Sequence, residues 1–303
     1  MNGFWKWTRR IAGGLVLLLV LIVGTTYGLS EVNLQTTYEI PETRVSIPTD
    51  AMSIERGRHL AVAIGKCIDC HGEDFGGKIV IDDAAVGLLA GPNLTSGAGG
   101  LAPTLHDSDW VRAIRHGIKH DGRPIALMPS EDYWHYDDEE VAAVVAYIKS
   151  VPPVNRTMPE VSVGPVIRLM NVLGQVEFAA QKIDHEADRP ATPPEAPTAE
   201  YGAHVVKTGG CIGCHGPSLS GGPIPGAPPH FKAPRNITPH ESGLAGWSEE
   251  DFFRALRTGV TPTGDHLDPT YMPWNATKLM KDLEIKALWA YLKTVPPKPE
   301  GNR

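Results

Sequence analysis

The chain has 303 residues, 42% hydrophobic and 21% charged, with a formal net charge of −7. This composition fits about two globular domains and excludes a disordered chain, and the negative balance runs against nucleic acid as a partner. The 32 glycines and 27 prolines follow no period, which excludes collagen and predicts long loops between short helices.

Lys6, Arg9 and Arg10 precede an uncharged run over 11–30 that is unbroken in apolar character over 15–23. About 20 such residues span a bilayer core as one helix, and a basic N-terminal flank keeps that end in the cytoplasm. A cleaved signal peptide has an apolar core of about 7–15 residues and small residues at the cut. Gly24, Thr25, Thr26, Tyr27 and Gly28 make a poor cut site. We therefore read 1–30 as a cytoplasmic stub and retained single-pass anchor in a bacterial inner membrane, with the rest exported to the periplasm. Residues 31–50 read as a polar, extended tether.

A helix near 53–65 leads into Cys67-Ile68-Asp69-Cys70-His71, and a second helix near 199–208 leads into Cys211-Ile212-Gly213-Cys214-His215. Cys-x-x-Cys-His is the attachment signature of c-type haem: each thiol forms a thioether to a vinyl group, and the adjacent imidazole reaches the iron. The two copies use all four cysteines of the chain. Met128-Pro129 and Met272-Pro273 each lie 57 residues beyond the signature His, and a Met thioether is a usual second axial ligand. A zinc site needs four ligands close together, whereas these cysteine pairs are 144 residues apart. His116, His120 and His266 are the alternative sixth ligands; His116 faces Thr258 in the repeat, which favours the methionines.

The whole neighbourhood is duplicated. Pro92-Asn93-Leu94-Thr95 returns as Pro234-Arg235-Asn236-Ile237-Thr238, and Arg112-Ala113-Ile114-Arg115-His116-Gly117 as Arg254-Ala255-Leu256-Arg257-Thr258-Gly259. Tyr147-Ile148-Lys149 before Pro152-Pro153 returns as Tyr291-Leu292-Lys293 before Pro296-Pro297. Short amphipathic helices are predicted over 107–118 and 248–257, the second opened by the capping pattern from Ser248 to Asp251 and both stopped by Gly117 and Gly259. Final helices follow over 137–150 and 281–294. The resulting fold class is mainly α, with haem domains over 51–153 and 197–303 behind the membrane helix. Between them, 154–196 is a linker with a predicted helix over 163–182 and a Pro-rich connector over 190–197. That helix has only Arg168 and Lys182 as cations, short of the basic face of an interfacial helix, so it is expected to pack between the haem domains.

Both halves resemble class I cytochrome c domains, and the chain is similar to the membrane-bound dihaem cytochrome c family, which includes cytochrome subunits of periplasmic dehydrogenases. The resemblance covers about 200 of the 303 residues. It implies two covalently bound haem c groups held by Cys67, Cys70, Cys211 and Cys214, with iron ligated by His71 and Met128 and by His215 and Met272. It also implies that a Pro carbonyl, from Pro92 and from Pro234, holds each signature imidazole. An iron with both axial positions filled leaves none for substrate, which points to an electron carrier and away from an enzyme. The expected partners are a dehydrogenase, a quinol-oxidising complex, an oxidase or a soluble cytochrome. The alternatives are a fixed subunit of a larger oxidase, dehydrogenase or photosynthetic complex, and a dihaem peroxidase or thiosulfate dehydrogenase. His59 and His204 recur in the repeat without a chemistry that the sequence reveals.

Overall fold

The computed structural model describes residues 2–40, 44–189, 191–224, 227 and 231–303. The chain begins with one long helix, α1 (Asn2–Gln35), whose exposed Leu and Val side chains run from Leu15 to Val23. Among the described residues it is the one helix long and apolar enough to cross a membrane. It extends five residues into the expected tether because Glu31 and Asn33 find partners there, described below. Two other parts of the tether lie on the protein: the Tyr38 amide donates to the Gly122 carbonyl (3.0 Å), and Val45 and Ile47 pack against the core. Residues 41–43 of that segment lie outside the described residues.

The first half runs α2 (Ala51–His59), a π-helical turn (Leu60–Ile64), α3 (Ile68–His71), a hairpin of β1 (Lys78–Asp83) and β2 (Gly87–Gly91), α4 (Asp107–His116), α5 (Ser130–Tyr133) and α6 (Asp138–Ser150). The second repeats it as α9 (Ala199–Thr208), α10 (Cys211–His215), α11 (Glu249–Thr258), α12 (Trp274–Thr277) and α13 (Asp282–Leu292). The predicted helix starts are real caps. The Ser248 hydroxyl accepts from the Asp251 amide, the Asp137 carboxylate accepts from the Glu140 amide, and left-handed Gly117 and Gly259 end α4 and α11.

Each half closes by crossing its first helix over its last, α2 on α6 and α9 on α13. The crossing is tight enough to require glycine. A Cβ at Gly57 would lie 1.8 Å from the Ala143 carbonyl oxygen, and one at Gly202 would lie 1.9 Å from that of Ala287. The two halves share one continuous apolar core that includes Leu60, Ile64, Val141 and Val145 from the first and Tyr201, Val205, Ile285 and Leu288 from the second. They also meet reciprocally: α5 touches α9, while α12 touches the π turn.

The linker departs from expectation. Instead of one helix over 163–182, the chain forms strand β3 (Ser162–Val163), α7 (Pro165–Val172) and α8 (Ala179–Lys182). Gly174, with φ 67°, breaks the helix between α7 and α8. β3 adds to β2 as a third antiparallel strand. Neither helix separates the haem domains: α7 packs on α1, and α8 packs on α5. The reason is polar pairing. Arg168 meets Glu31 (3.0 Å) and lies over the Tyr27 ring, and the Asn33 amide donates to Asn171 (2.8 Å). In the Pro-rich connector, Pro190 lies outside the described residues.

Candidate haem centres

Each signature is a single helical turn entered and left through left-handed residues. Lys66 (φ 51°) and Gly210 (φ 68°) precede the first cysteines, and Gly72 (φ 78°) and Gly216 (φ 80°) follow the histidines. In the first, the His71 amide donates to the Cys67 carbonyl at 2.9 Å. A helical turn places residues three apart on one face, so Cys67 and Cys70 point to the same side, as do Cys211 and Cys214. None of the four is in a disulfide. Burial pushes the Cys67 thiol up to about 12 and raises the other three thiols above their ordinary value. These are neutral thiols, poor candidates for a redox nucleophile or a thiolate metal ligand.

The imidazoles are fixed by the backbone. His71 Nδ1 lies 3.0 Å from the Pro92 carbonyl oxygen, and His215 Nδ1 lies 2.7 Å from that of Arg235. A carbonyl only accepts, so each Nδ1 carries the proton and each Nε2 presents a lone pair. Burial lowers both histidine pKa values despite that bond, which keeps the rings neutral. In the second half the acceptor is therefore Arg235, one residue beyond the expected Pro234. Asn236 aligns with Asn93, which brings Arg235 onto the position of Pro92, and any residue can supply a carbonyl. Those asparagines brace the segment. The Asn93 side chain accepts from the Thr95 amide (2.9 Å) and donates to the Val154 carbonyl (2.7 Å); Asn236 accepts from the Thr238 amide (2.8 Å) and donates to the Lys298 carbonyl (2.7 Å).

Met128 and Met272 pack against the same core as Cys67 and Cys211. Each is followed by a proline that opens a one-turn helix with matching backbone angles, Pro129 (φ −80°, ψ 58°) before α5 and Pro273 (φ −75°, ψ 59°) before α12. The histidine alternatives are placed differently. His120 and His266 are exposed. His116 Nδ1 sits 3.0 Å from His185 Nδ1 of the linker, and its pKa is driven down to about 4, mainly by burial. Three arginines of the repeat pair with carboxylates: Arg112 with Asp109 (3.3 Å), Arg254 with Asp251 (2.8 Å) and Arg235 with Asp265 (3.7 Å).

The donor set in each half is two thiols, one neutral imidazole and one thioether against an apolar core, which suits a covalently held haem. The first half adds two buried donors without a protein acceptor, Trp110 Nε1 and Tyr136 Oη, and both residues belong to the core that Cys67 and Met128 touch. Enclosed donors of this kind match the carboxylate groups that a haem brings. Among the described residues no three His, Cys, Asp or Glu side chains gather into a metal-binding cluster.

Sequence reasoning missed the groups that join the halves. His59 Nε2 meets the Glu284 carboxylate at 2.7 Å, and His204 Nε2 meets Glu140 at 2.9 Å. His59 and Glu140 belong to the first half, His204 and Glu284 to the second, so each half gives one histidine and receives one, as a two-fold relation demands. The clue was that both the histidines and the glutamates recur in the repeat. Beside these pairs, the Lys66 ammonium donates to the carbonyl of Ile64 (3.0 Å) and to that of Gly209 (2.5 Å), which lies just ahead of the second signature.

Comparison with known proteins gives the same answer. The cytochrome c family model matches twice, over residues 54–152 and 199–296. The chain is 26% identical over 280 residues to the fructose dehydrogenase cytochrome subunit of Gluconobacter japonicus, covering 83% of this chain and 54% of that protein. It is 26% identical over 282 residues to the cytochrome c subunit of a quinone alcohol dehydrogenase from Gluconacetobacter polyoxogenes, covering 84% of this chain and 58% of that one. A diheme cytochrome c-type protein of Cereibacter sphaeroides is 30% identical over 115 residues, 34% of this chain and 38% of its own length. The chain thus spans little more than half the length of the two dehydrogenase subunits it matches. Two matched haem signatures, two imidazoles pinned to backbone carbonyls and a family match over both halves make this chain a member of the cytochrome c family, an electron-transfer protein.

Proposed function

We propose that the chain is a membrane-anchored dihaem electron carrier. Cys67 and Cys70 hold one haem and Cys211 and Cys214 the other, with His71 and Met128, and His215 and Met272, as axial ligands. The observation that carries this reading is the matched geometry of the two halves: imidazole Nδ1 on a carbonyl at 3.0 and 2.7 Å, and a Met-Pro pair opening an equivalent turn in each.

When bound, the haem supplies a one-electron iron couple. The residues do the rest. The Pro92 and Arg235 carbonyls hold the Nε2 lone pairs in one orientation, and that hydrogen bond makes the imidazole a better donor to the metal. Held by a Met and a His, the haem would have a higher potential than with two histidines and would offer no open position to peroxide, which favours a carrier over a peroxidase. The buried apolar core keeps water from the centre. Lys66, bonded to Gly209, and the reciprocal histidine–glutamate pairs hold the two halves together, which would let haems bound in them exchange electrons without a domain movement.

The apolar helix behind Lys6, Arg9 and Arg10 supports a bilayer anchor with the haem domains on the periplasmic side. The two relatives named as dehydrogenase subunits favour a dehydrogenase as the electron donor, passing electrons through this chain to a respiratory acceptor. The test is haem quantification by pyridine haemochrome on protein extracted from membranes, with identification of companions that co-purify in mild detergent. Two haems per polypeptide and a dehydrogenase or quinol-oxidising companion are expected; fewer than two haems ends the dihaem reading.

A further inference from the structure

The linker helix α7 shows one face to solvent that is wholly apolar. Val166, Leu169 and Leu173 are 42%, 42% and 60% exposed. At 100° per residue they fall within about 60° of one another around the helix. Arg168 and Asn171 lie on the opposite side, where both are bonded to α1. Arg168 is the lone charge in α7, and Glu31 neutralises it at 3.0 Å. α7 therefore presents a neutral, unpartnered apolar stripe.

Its position along α1 identifies what covers that stripe. The apolar run of α1 ends at Ser30, and its 20 residues at 1.5 Å each make about 30 Å, the thickness of a bilayer core. Tyr27, Glu31 and Asn33 are the α1 residues that hold α7, so its contacts bracket the point where the anchor leaves the hydrocarbon. Tyr27 is a residue type enriched at that depth. Leu29 and Val32, between those contacts, are also exposed, at 50% and 63%. Leu29 and Val32 thus carry exposed apolar surface from the outer end of the anchor toward α7, beside Glu31, whose charge is paired with Arg168.

We propose that α7 lies at the membrane surface, with Val166, Leu169 and Leu173 in the interfacial region of the outer leaflet beside the anchor. This inference rests on the reading of α1 as a bilayer anchor. Because the stripe has no free cation, the attachment is hydrophobic and independent of anionic lipid. Its consequence is mechanical: a single helix leaves its cargo free to swivel, whereas a helix plus an interfacial contact fixes one face of the haem unit toward the membrane.

The test uses the full dihaem chain in phosphatidylcholine vesicles. All native cysteines are engaged by haem, so Leu169→Cys, Leu173→Cys, Leu19→Cys and Met52→Cys each create one site for a nitroxide label. Power-saturation EPR then reads accessibility to oxygen, which favours lipid, and to a water-soluble nickel chelate. We expect the oxygen-to-nickel ratio at Leu169 and Leu173 to exceed that at Met52, which is 81% exposed, severalfold, on the side of the Leu19 control. The ratio should not change when a third of the lipid is made anionic. A Met52-like ratio at Leu169 and Leu173, with Leu19 in lipid, overturns the proposal and leaves the anchor standing. Exclusion of both reagents from Leu169 and Leu173 would mean a protein partner covers the stripe, and overturns it as well. Nickel access at Leu19 would remove the anchor and this inference together.

Discussion

His59 and Glu284, 225 residues apart in the chain, meet at 2.7 Å across the junction of the two cytochrome c domains, with the Glu284 side chain 1% exposed. Glu284 also accepts from the Lys281 amide at 2.6 Å, so it caps α13 and clasps the other half at once. The His204–Glu140 pair does the same for α6, where Glu140 accepts from the Thr192 hydroxyl and caps Asp137. Buried carboxylates are costly unless bonded, and here the bonding partner comes from the opposite domain.

The first prediction concerns this clasp. A double-mutant cycle of His59→Ala and Glu284→Ala gives a coupling of about 0.5–3 kcal/mol in urea unfolding, the range for residues in contact. Removing both clasps, with His59→Ala and His204→Ala together, splits one unfolding transition into two. A coupling near zero would show that the apolar core alone joins the halves.

The helix crossings give a second. Gly57→Ala places a methyl 1.8 Å from the Ala143 carbonyl oxygen, and Gly202→Ala does so 1.9 Å from that of Ala287. Neither backbone can yield without opening its helix pair. Each variant loses about 1–3 kcal/mol, the cost of overpacking a closed interior. Gly57→Ala should broaden and shift the optical bands of the first haem, and Gly202→Ala those of the second, so partial potentiometric titration distinguishes them.

The axial assignments give a third. Met128→Ala converts one haem to high spin and leaves the other unchanged, and Met272→Ala does the reverse. Met272→His keeps the second haem low-spin but lowers its potential by a fraction of the roughly 0.8 V that axial ligation spans. Spectroelectrochemistry reads both effects; an unchanged spectrum in the alanine variants would assign the sixth position to another residue.

A fourth concerns pH. Asp132 lies where a Cβ on Gly210 would come within 3.0 Å of its carboxylate, and burial, then the nearby Glu131, push its pKa up to about 7, against the pull of Lys66 and Lys182. An unfolded Asp releases its proton near 3.9. Between about pH 4 and 7 the folded chain keeps a proton that the unfolded chain has lost, so this group's contribution to stability falls as pH rises through that window. Asp132→Asn removes the titration. Its urea midpoint should match wild type near pH 4 and exceed it above pH 7; parallel curves across the range would refute the assignment.

How much of this was legible in the sequence varies by element. The two signatures, the Met-Pro pairs, the duplication and the apolar N-terminal run all read directly. Covalent haem attachment demands fixed residue types at fixed short spacing, and a bilayer demands a length. The cap at Ser248 and the stops at Gly117 and Gly259 were equally local, each resting on bonds within one helical turn.

Other features needed contacts that no local pattern encodes. The carbonyl on His215 belongs to Arg235 and not to Pro234, because a backbone acceptor leaves no side-chain signature. The hairpin of β1 and β2 sits in a segment with sparse strand signals, its first strand largely exposed, so alternation had little burial to report. The linker helix carries few cations, which sequence reasoning took as a reason to bury it between the domains. The fold instead neutralises its one arginine with Glu31, 137 residues earlier, and sets it on α1. The sequence by itself determined the chemistry of each half, since haem binding is written in adjacent residues. Only the tertiary structure decided how the halves clasp and how they sit on α1, because those outcomes depend on pairing buried charge and apolar surface across distant parts of the chain.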